Sequence, residues 1–474
     1  MTNKHQCPVN LKSTSDGWRG KLAESFTFDN IEILGEAISR FIAQKSFFKR
    51  IVIGYDTRFM SKDFALFLST LFSKNGIEVF IIKNPCTTPL LTFSTLLFQS
   101  QIGLTVTASH NPRFDHGIKI RMGYGGAPLT EITQDIEKCL LIDTNNLLTT
   151  KKGKVIEVDP INDYTEKIKG FLDFSKITKQ TKVVVDSMHG TSRNLLKKIT
   201  KNTGIEVDYI NYNYDPYFGG CPPEPKYETT KKLQSLVLGK KYDLGIAHDG
   251  DGDRIVAVSQ NYGYLSPHDV SAVILWYLVL KKGVSGKVVG SSTLGRRVRL
   301  LCQHFGLEFQ EIPVGFKNAT QIMLNQKVLL AAEENGGIGF GFYLPERDAT
   351  LAAGILCEIE STLVGGVDYV LNEVEKLSGK SVFSRFNFIP SINRQQLMLL
   401  ILKLRPKDFT FCTVKNISKV DGVKITLTNN DWISIRVSGT EDVIRIYAES
   451  DDRQTAEKLI QNIRKMLIDL EKKI

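Results

Sequence analysis

The sequence predicts an α/β protein with three repeated, mixed or parallel α/β domains and a C-terminal α+β domain, arranged around a central cleft. Its 474 residues suffice for about three domains of roughly 150 residues, each with its own core. A strand–helix unit recurs three times, and each copy ends in a polar loop. After these copies, alternating strands and one amphipathic helix follow, which is typical of an α+β domain.

Each copy alternates short, β-branched apolar runs, which predict buried strands, with stretches that predict helices. Because such strands pair in parallel, the polar loops should converge on one cleft. The predicted strands are 51–55, 77–82 and 102–106, then 182–185, 205–210 and 244–247, then 287–290, 309–312 and 328–332. The predicted helices are 61–74, 88–98, 192–199, 229–238 and 296–305.

The last part of the chain has a different pattern. A polar stretch at 376–381 predicts a linker, and a final helix with an apolar stripe is predicted from Asp451 or Asp452 onwards. Alternating residues predict three strands, at 422–428, 432–437 and 443–449. We therefore expect domains at 1–158, 159–260, 261–375 and 382–474.

The composition argues against several classes of protein. The net charge is +10, but the basic residues are scattered, which favours anionic small substrates over nucleic acid. The seven cysteines form no CxxC pair, which argues against a zinc site or disulfide framework. Residues 1–12 show no secretory signal, and the longest apolar run, 272–280, is shorter than the roughly 18 residues of a membrane span. We expect a cytoplasmic protein with no membrane or nucleic-acid partner.

Ser109 lies in a polar loop directly after the predicted strand at 102–106. Open α/β sheets bind their ligands beyond the carboxyl ends of strands, so this position suits a nucleophile. His110 follows the serine, and Pro112 stops the chain from continuing as a helix through Asn111. The alternative is a polar turn, because Ser, Asn and Pro are ordinary turn residues.

Three aspartates on alternate residues, Asp249, Asp251 and Asp253, follow the last strand of the second copy. Glycines between them let the backbone curl, so that the carboxylates can face one hard divalent cation, Mg²⁺ rather than Zn²⁺. An EF-hand shares this spacing, but Arg254 and Gln260 stand where that loop needs Gly and Glu. The alternative to a metal site is an acidic, solvated turn.

A further candidate loop lies at 436–441, between two predicted strands of the last domain. Arg436 offers a bidentate guanidinium, and the turn offers backbone N–H groups, a combination typical of phosphate binding. The remaining candidate ligands of this loop are Ser438, Gly439 and Thr440. A simple hairpin turn is the alternative.

Four motifs resemble, in order, those of the α-D-phosphohexomutases, the family of phosphoglucomutases and phosphomannomutases. They are TASHNP at 107–112, similar to the phosphoserine loop, DGDGDR at 249–254, similar to the metal loop, EENGG at 333–337, similar to the sugar-binding loop, and RVSGTE at 436–441, similar to the phosphate-binding loop. The resemblance covers essentially the whole chain, and the four motifs together are very specific. It implies a four-domain enzyme with its site in the central cleft.

The resemblance also implies roles for individual residues. Ser109 would be held as a phosphoserine and would share one Mg²⁺ with Asp249, Asp251 and Asp253. Three cations would surround the transferring phosphoryl group: Arg19, Lys119 and Arg254. The proton acceptor would be Lys119, with His110 and Arg19 as alternatives. The sugar would contact Lys317, Glu333 and Asn335, and the phosphate that does not react would contact Arg436, Ser438, Gly439 and Thr440.

The implied reaction interconverts glucose 1-phosphate and glucose 6-phosphate, with a hexose 1,6-bisphosphate as intermediate and activator. Glucose is expected because the sugar loop and residues 344–348 resemble phosphoglucomutases more than the mannose or glucosamine members. The chain departs from the family pattern at Asn335, usually Ser, at Gly337, a His in some members, and at Asp442, usually Pro. Open alternatives are a glucose 1,6-bisphosphate synthase, a phosphomannomutase and a non-catalytic sugar-phosphate binding protein, as a monomer or homodimer.

Overall fold

The computed structural model of the chain describes residues 12–14, 16–45, 49–140, 151–438 and 442–472. Within them, four β-sheets follow one another along the chain. The first three contain parallel strands flanked by helices, and the fourth is antiparallel. The predicted class of three α/β domains followed by an α+β domain is confirmed.

The first domain is built on a seven-stranded mixed sheet. Its elements are β1 (Lys12–Thr14), β2 (Gly17–Lys21), α1 (Phe28–Lys45), β3 (Arg50–Tyr55), α2 (Ser61–Lys74), β4 (Glu78–Ile82), α3 (Thr88–Leu97), β5 (Ile102–Val106), β6 (Asp115–Met122), α4 (Thr130–Leu140) and β7 (Val155–Val158). The strand order is β1-β2-β6-β5-β3-β4-β7, in which β5 pairs in parallel with β3 and antiparallel with β6. β5 is therefore central and wholly buried.

The second domain repeats this pattern with five strands in the order β12-β11-β10-β8-β9. Its elements are α5 (Ile161–Lys169), β8 (Thr181–Asp186), α6 (Leu195–Ile199), β9 (Ile205–Ile210), α7 (Lys231–Leu238), β10 (Leu244–His248), β11 (Ile255–Ser259) and β12 (Gly263–Leu265). A 3₁₀ turn at Phe218–Gly220 separates β9 from α7.

The third domain has four strands in the order β14-β13-β15-β16. Its elements are α8 (Pro267–Leu280), β13 (Lys287–Ser291), α9 (Arg296–Phe305), β14 (Phe309–Ile312), α10 (Phe316–Asn325), β15 (Val328–Ala332), β16 (Ile338–Phe340), α11 (Ala349–Thr362) and α12 (Gly366–Ser378). The fourth domain consists of β17 (Val382–Phe388), α13 (Arg394–Ile401), a 3₁₀ turn (Pro406–Asp408), β18 (Val414–Ser418), β19 (Val423–Leu427), β20 (Trp432–Val437), β21 (Ile444–Ser450) and α14 (Arg453–Glu471).

The predicted linker at 376–381 is wrong in its first half, because α12 continues to Ser378. Val367, Val370, Leu371 and Val374 give that helix a buried face at helical spacing, which outweighs the polar residues at its end. The helix predicted at 192–199 begins only at Leu195, because Asn194 before it has a left-handed backbone with φ of 57°.

The largest apolar core runs continuously through the first three domains and includes Val52, Ile246 and Ile355. The fourth domain has a separate core around Ile425 and Ile446. Among the described residues no single helix is long and apolar enough to cross a membrane. The pair α11 and α12, which is bent by 98° at its junction, reaches that length and apolar character only when the two helices are taken together. Both helices of this pair contribute buried side chains to the largest core.

One structural feature is shared by the first three domains and positions their polar loops. In each, a buried parallel strand is followed by a short loop and then by an antiparallel neighbour: β5 by β6, β10 by β11, and β15 by β16. Both ends of each loop are therefore fixed by strand pairing, and the loops project from the carboxyl ends of the parallel strands.

Candidate active site

The loop between β5 and β6 presents Ser109 in a conformation that L residues rarely adopt, with φ of 54°. Such a backbone costs on the order of 1–3 kcal/mol and persists only where surrounding contacts hold it. Here the Ser109 N–H donates to Thr107 Oγ1 at 2.9 Å, and the Ser109 carbonyl accepts from Arg58 at 2.7 Å. The exposed fraction of Ser109 is 1%. The serine is therefore held rigidly and faces the protein interior.

Arg58 lies buried beneath the serine loop and organises it. Its Nε donates to Asp56 Oδ2 at 3.1 Å, and Asp56 also accepts from the Thr107 hydroxyl at 2.6 Å. The two terminal nitrogens of Arg58 donate to four carbonyl oxygens of the loop, those of Ser109 and Asn111, both at 2.7 Å, of Pro112 at 2.8 Å and of Asp115 at 3.1 Å. The sequence does not predict this role of Arg58, because the four carbonyls that it binds lie more than 50 residues away.

The serine loop meets the aspartate loop between β10 and β11. Ser109 Oγ donates to Asp249 Oδ2 at 2.9 Å across a separation of 140 residues. Asp249 Oδ1 accepts from the backbone N–H groups of Asp253 and Arg254 at 3.0 and 3.1 Å, which curls the loop. Asp249, Asp251 and Asp253 are fully buried and place one oxygen each within 4.8 Å of one another. The structure thus brings together the predicted nucleophile and all three predicted metal ligands.

The donor set of this cluster fits a hard divalent cation. All its donors are oxygens, the type that Mg²⁺ prefers. Asp251 Oδ1 and Asp253 Oδ1 are buried, and within the described part of the chain neither accepts a hydrogen bond. The Oδ2 atoms of the same two residues each accept from Lys119 Nζ at 2.5 Å, and Asp251 Oδ2 also accepts from the Thr88 hydroxyl at 2.5 Å. Lys119 therefore engages one oxygen of Asp251 and one of Asp253, and the second oxygen of each carboxylate is left for a metal ion.

The pKa values of the aspartates are shifted in opposite directions. Burial raises the pKa of Asp249 well above its usual range, and the neighbouring Asp251 and Asp253 raise it further. Burial also opposes ionisation of Asp253, but Arg347 and Lys119 outweigh it and hold the pKa of that carboxyl well below its usual value. The carboxylate nearest the serine therefore depends most on added positive charge.

The predicted cations of the phosphoryl site lie around Ser109. Arg19 on β2 donates to the Thr107 carbonyl at 2.5 Å. Arg254 Nε lies 3.9 Å from Asp249 Oδ2 and 3.8 Å from Asp253 Oδ1. Burial, with the positive charges of Arg254, Arg19 and Lys119, lowers the pKa of His110 well below its ordinary value. Its Nδ1 atom is buried and has no hydrogen-bond partner among the described residues.

The sugar-loop residues lie between β15 and β16, directly against the aspartate loop. The Ile255 N–H donates to the Gly336 carbonyl at 3.1 Å, and Gly336 has φ of 95° with no room for a Cβ. Glu333 Oε1 accepts from the Gly315 N–H at 3.0 Å, and burial raises the pKa of Glu333. Asn335 Oδ1 accepts from the Gly337 N–H at 3.0 Å.

Lys317, the remaining predicted sugar ligand, is partly exposed near the start of α10. Its ammonium forms no hydrogen bond or ion pair with any residue that the structure describes. Lys317 is therefore available to a ligand.

Arg347 connects the sugar loop to the aspartate loop, a role that is not predicted from the sequence. Its guanidinium contacts Asp253 Oδ2 at 3.0 Å and Glu333 Oε2 at 3.3 Å. It also lies 3.5 Å from Asp16 Oδ2, whose carboxylate is shared with Arg121 at 3.5 Å. Arg347 belongs to the stretch at 344–348, from which only the sugar preference is predicted.

The fourth domain reaches the site through Arg436 and Asp421. Arg436 Nε donates to Asp421 Oδ2 at 2.8 Å. The same oxygen accepts from the Val314 N–H at 3.1 Å and from the Ser292 hydroxyl at 3.2 Å, both in the third domain. Ser438 is buried, and its N–H donates to the Val443 carbonyl at 3.0 Å. Gly439 and Thr440 lie outside the described residues, so their predicted contacts stay predictions.

Comparison with known proteins agrees with this four-domain fold. Four family models match in order, described as phosphoglucomutase/phosphomannomutase alpha/beta/alpha domains I, II and III and C-terminal domain, at residues 10–146, 162–263, 266–374 and 402–466. The chain belongs to the phosphoglucomutase/phosphomannomutase family of the α-D-phosphohexomutases, which are intramolecular phosphotransferases.

Individual relatives differ in the sugar they are named for. A phosphoglucosamine/phosphogalactosamine mutase of Sulfurisphaera tokodaii is 26% identical and covers 96% of this chain and 98% of its own. A crystal structure from Thermus thermophilus, provisionally named a phosphomannomutase, is 28% identical, has a TM-score of 0.84 and covers 96% and 99% of the two chains. The fold is also similar to that of Aspergillus fumigatus N-acetylphosphoglucosamine mutase, solved with GlcNAc-6P and magnesium, at 14% identity, a TM-score of 0.58 and coverage of 99% and 97%.

Proposed function

We propose that the protein is a Mg²⁺-dependent mutase that interconverts glucose 1-phosphate and glucose 6-phosphate through a phosphorylated Ser109. The observation that carries this proposal is the hydrogen bond of 2.9 Å from Ser109 Oγ to Asp249, which belongs to a buried cluster of three carboxylates. Two oxygens of this cluster, Asp251 Oδ1 and Asp253 Oδ1, accept no hydrogen bond from the described residues. A structural serine in a turn needs no such cluster, whereas phosphoryl transfer needs concentrated positive charge beside the reacting oxygen.

In the proposed reaction, the 6-hydroxyl of glucose 1-phosphate attacks the phosphorus on Ser109, and the P–Oγ bond breaks as Oγ takes up a proton. The 1,6-bisphosphate then turns over within the cleft. Ser109 Oγ attacks the phosphorus on O1 and gives up its proton to the leaving oxygen, which regenerates the phosphoserine and releases glucose 6-phosphate. The same bisphosphate, supplied from outside, would phosphorylate unmodified Ser109 and so act as the activator.

The side chains that surround Ser109 suit this exchange. Asp249, Asp251 and Asp253 would hold one Mg²⁺, which supplies charge neutralisation for the phosphoryl oxygens. The chain adds three cations of its own around the same point: Arg19, Lys119 and Arg254. These groups are fixed before substrate binds, and positioned charge is the main contribution that a protein makes to phosphoryl transfer.

The proton acceptor is proposed to be Lys119, with His110 and Arg19 as the alternatives. Lys119 Nζ lies 2.5 Å from both Asp251 and Asp253; as the neutral amine it would take up the hydroxyl proton, and these two carboxylates would stabilise the ammonium that results. Replacement of Lys119 by Met should then lower kcat with little change in KM, whereas His110→Asn should keep kcat. The opposite outcome would assign the proton transfer to His110.

The sugar and the remote phosphate would lie between the third and fourth domains. Glu333, Asn335 and Lys317 would contact the hydroxyls, and Arg436, Ser438, Gly439 and Thr440 would bind the phosphate that is not reacting. The contact of Asp421 with both Arg436 and the third domain supports this proposal, because it places the guanidinium beside the sugar-loop domain.

Glucosamine phosphates are the second candidate substrates, because relatives that cover nearly the whole chain are named phosphoglucosamine mutases. A direct comparison of kcat/KM for glucose 1-phosphate, glucosamine 1-phosphate and mannose 1-phosphate decides among the three sugars. We expect glucose to be preferred, and a preference for either of the other two would refute that choice. Accumulation of free bisphosphate with slow isomerisation would instead indicate a glucose 1,6-bisphosphate synthase.

The test of the proposal as a whole is the phosphorylation state of Ser109. Intact-mass measurement should show a fraction of the purified protein with one phosphate, and Ser109→Ala should lose both this mass and the activity. Ser187→Ala, which changes another buried serine at the end of a parallel strand, is the matched control and should keep both. An active Ser109→Ala enzyme, or a wild-type protein that binds sugar phosphates without turnover, would contradict the mechanism.

A further inference from the structure

A cavity of about 390 Å³ lies between the third and fourth domains, outside the site described above. α9 and β14 form one wall, and β18, β19 and β20 form the other. Its volume lies within the roughly 300–1,000 Å³ of small-molecule sites. Trp432 lines the cavity four residues before Arg436 on β20, which corresponds to about 13 Å at about 3.3 Å per residue. Arg436 itself is not among the lining residues, so a ligand of this cavity contacts other groups than one bound at Arg436.

Positive groups outnumber negative ones in the lining of the cavity, where Arg296, Arg299, Lys415 and Lys424 stand against Glu311. Arg299 is partly withdrawn from water and forms no hydrogen bond or ion pair with the residues that the structure describes, although the carboxylates of Glu311 and Glu449 attract it from a greater distance. By contrast, Arg296 in the same lining is paired with Asp431 at 2.7 Å. The carboxylate of Glu311 is already engaged by Lys424 Nζ at 2.6 Å. A partly desolvated guanidinium without a hydrogen-bonded anion costs free energy that a bound anion would recover.

The remaining lining combines apolar and polar surface. Leu294, Phe309 and Trp432 supply the apolar part, and Ser418 and Thr426 supply hydroxyl groups. This is the usual composition of a ligand site, with an apolar wall and a few polar groups that fix orientation. Inorganic ions alone would leave the aromatic surface unused.

We propose that this cavity binds a small organic anion whose phosphate or carboxylate group pairs with Arg299 and whose flat apolar part packs against Phe309. Lys415, exposed at the lining, adds a second positive charge.

Phenyl phosphate is the probe that tests this site by isothermal titration of the full-length protein. Arg299→Gln should weaken binding at least tenfold, whereas Arg436→Gln should leave it unchanged. Phe309→Ala should reduce the affinity for phenyl phosphate to that for inorganic phosphate. Lys415→Gln, the matched exposed cation, should have the smaller effect. Benzoate in place of phenyl phosphate tells whether the site prefers a carboxylate.

Two results would overturn the proposal. Binding that is lost in Arg436→Gln and kept in Arg299→Gln would place phenyl phosphate in the cleft, and no binding to the wild-type protein would leave the cavity without the proposed ligand class.

A measurement that needs no variant is the anomalous signal of 4-bromophenyl phosphate soaked into crystals. We expect the bromine beside Phe309, and a bromine position elsewhere would refute the site.

Discussion

Replacement of Arg58 by methionine should remove most of the proposed mutase activity, although Arg58 is placed to contact no substrate. Methionine retains much of the buried volume but removes every donor to the four carbonyls of the serine loop and leaves Asp56 without its counter-charge. Breaking a buried ion pair from one side costs about 3–5 kcal/mol. Abandoned buried acceptors cost about 1–3 kcal/mol each, but such costs are not additive. We expect about 4 kcal/mol of destabilisation, concentrated in the loop that holds Ser109.

The assay is steady-state isomerisation of hexose 1-phosphate at saturating Mg²⁺, with the phosphorylated fraction of Ser109 measured by intact mass. We expect kcat to fall about 100-fold, since a displacement of about 1 Å at a reacting group has that effect. KM should change little, because the sugar loop is not altered. The thermal unfolding midpoint should fall as well.

Two variants control this experiment. Arg58→Lys keeps the charge but lacks the fork that reaches four carbonyls, so its kcat should lie between those of the wild type and Arg58→Met. Arg453→Met removes an exposed ion pair with Glu457, worth about 0.3–0.5 kcal/mol, and should leave kcat unchanged. A wild-type kcat in Arg58→Met would show that other contacts shape the serine loop, and the reasoning would be refuted.

Three further predictions concern the metal, the sugar loop and pH. Asp251→Asn should weaken Mg²⁺ binding more than about tenfold in isothermal titration without sugar, and an unchanged affinity would place the ion elsewhere. Gly336→Ala should raise KM about tenfold, because the backbone of Gly336 has φ of 95° and an added Cβ would lie 2.6 Å from the Ile255 carbonyl oxygen. An unchanged kcat/KM would contradict this prediction. Burial raises the pKa of Asp348 from 3.8 to about 7, so the folded state binds this proton more tightly than the unfolded state does. The free energy of unfolding should therefore fall as the pH rises from 3.8 to about 7, by about 1.4 kcal/mol per unit of pKa shift. Asp348→Asn keeps an acceptor for the Tyr164 hydroxyl and removes the titrating carboxyl, so its stability should depend less on pH. Thermal unfolding midpoints of the wild type and the variant between about pH 4 and 7 test this, and the same pH dependence in both proteins would contradict the prediction.

The elements that sequence predicted best are those with a strong local pattern. The strands at 205–210, 309–312, 328–332 and 432–437 and the helix at 296–305 have the predicted bounds. Short apolar runs with turn residues at both ends determine such bounds locally. The antiparallel return strands β6, β11 and β16 were not predicted, because their pairing depends on partners rather than on their own pattern.

In the candidate site, too, residues within local motifs were predicted and residues with distant partners were not. Ser109 and the three aspartates were predicted because each lies in a compact motif directly after a strand. Arg58, Arg347 and Asp421 were missed because each acts on residues far away in sequence, such as Arg347 on Asp253 and Asp421 on Ser292. A single sequence contains no signal for such pairs, since the folded chain alone makes them neighbours.

The distance along the chain between Ser109 and Asp249 has a consequence for synthesis of the protein. The serine loop is translated 140 residues before its aspartate partner. At about 5–20 residues per second, the ribosome needs on the order of ten seconds to cover that interval. During this time the nascent first domain has a serine but no carboxylate cluster beside it. The proposed phosphorylation of Ser109 therefore has to wait until the second domain has folded against the first, and a growing or truncated chain would not consume sugar phosphates.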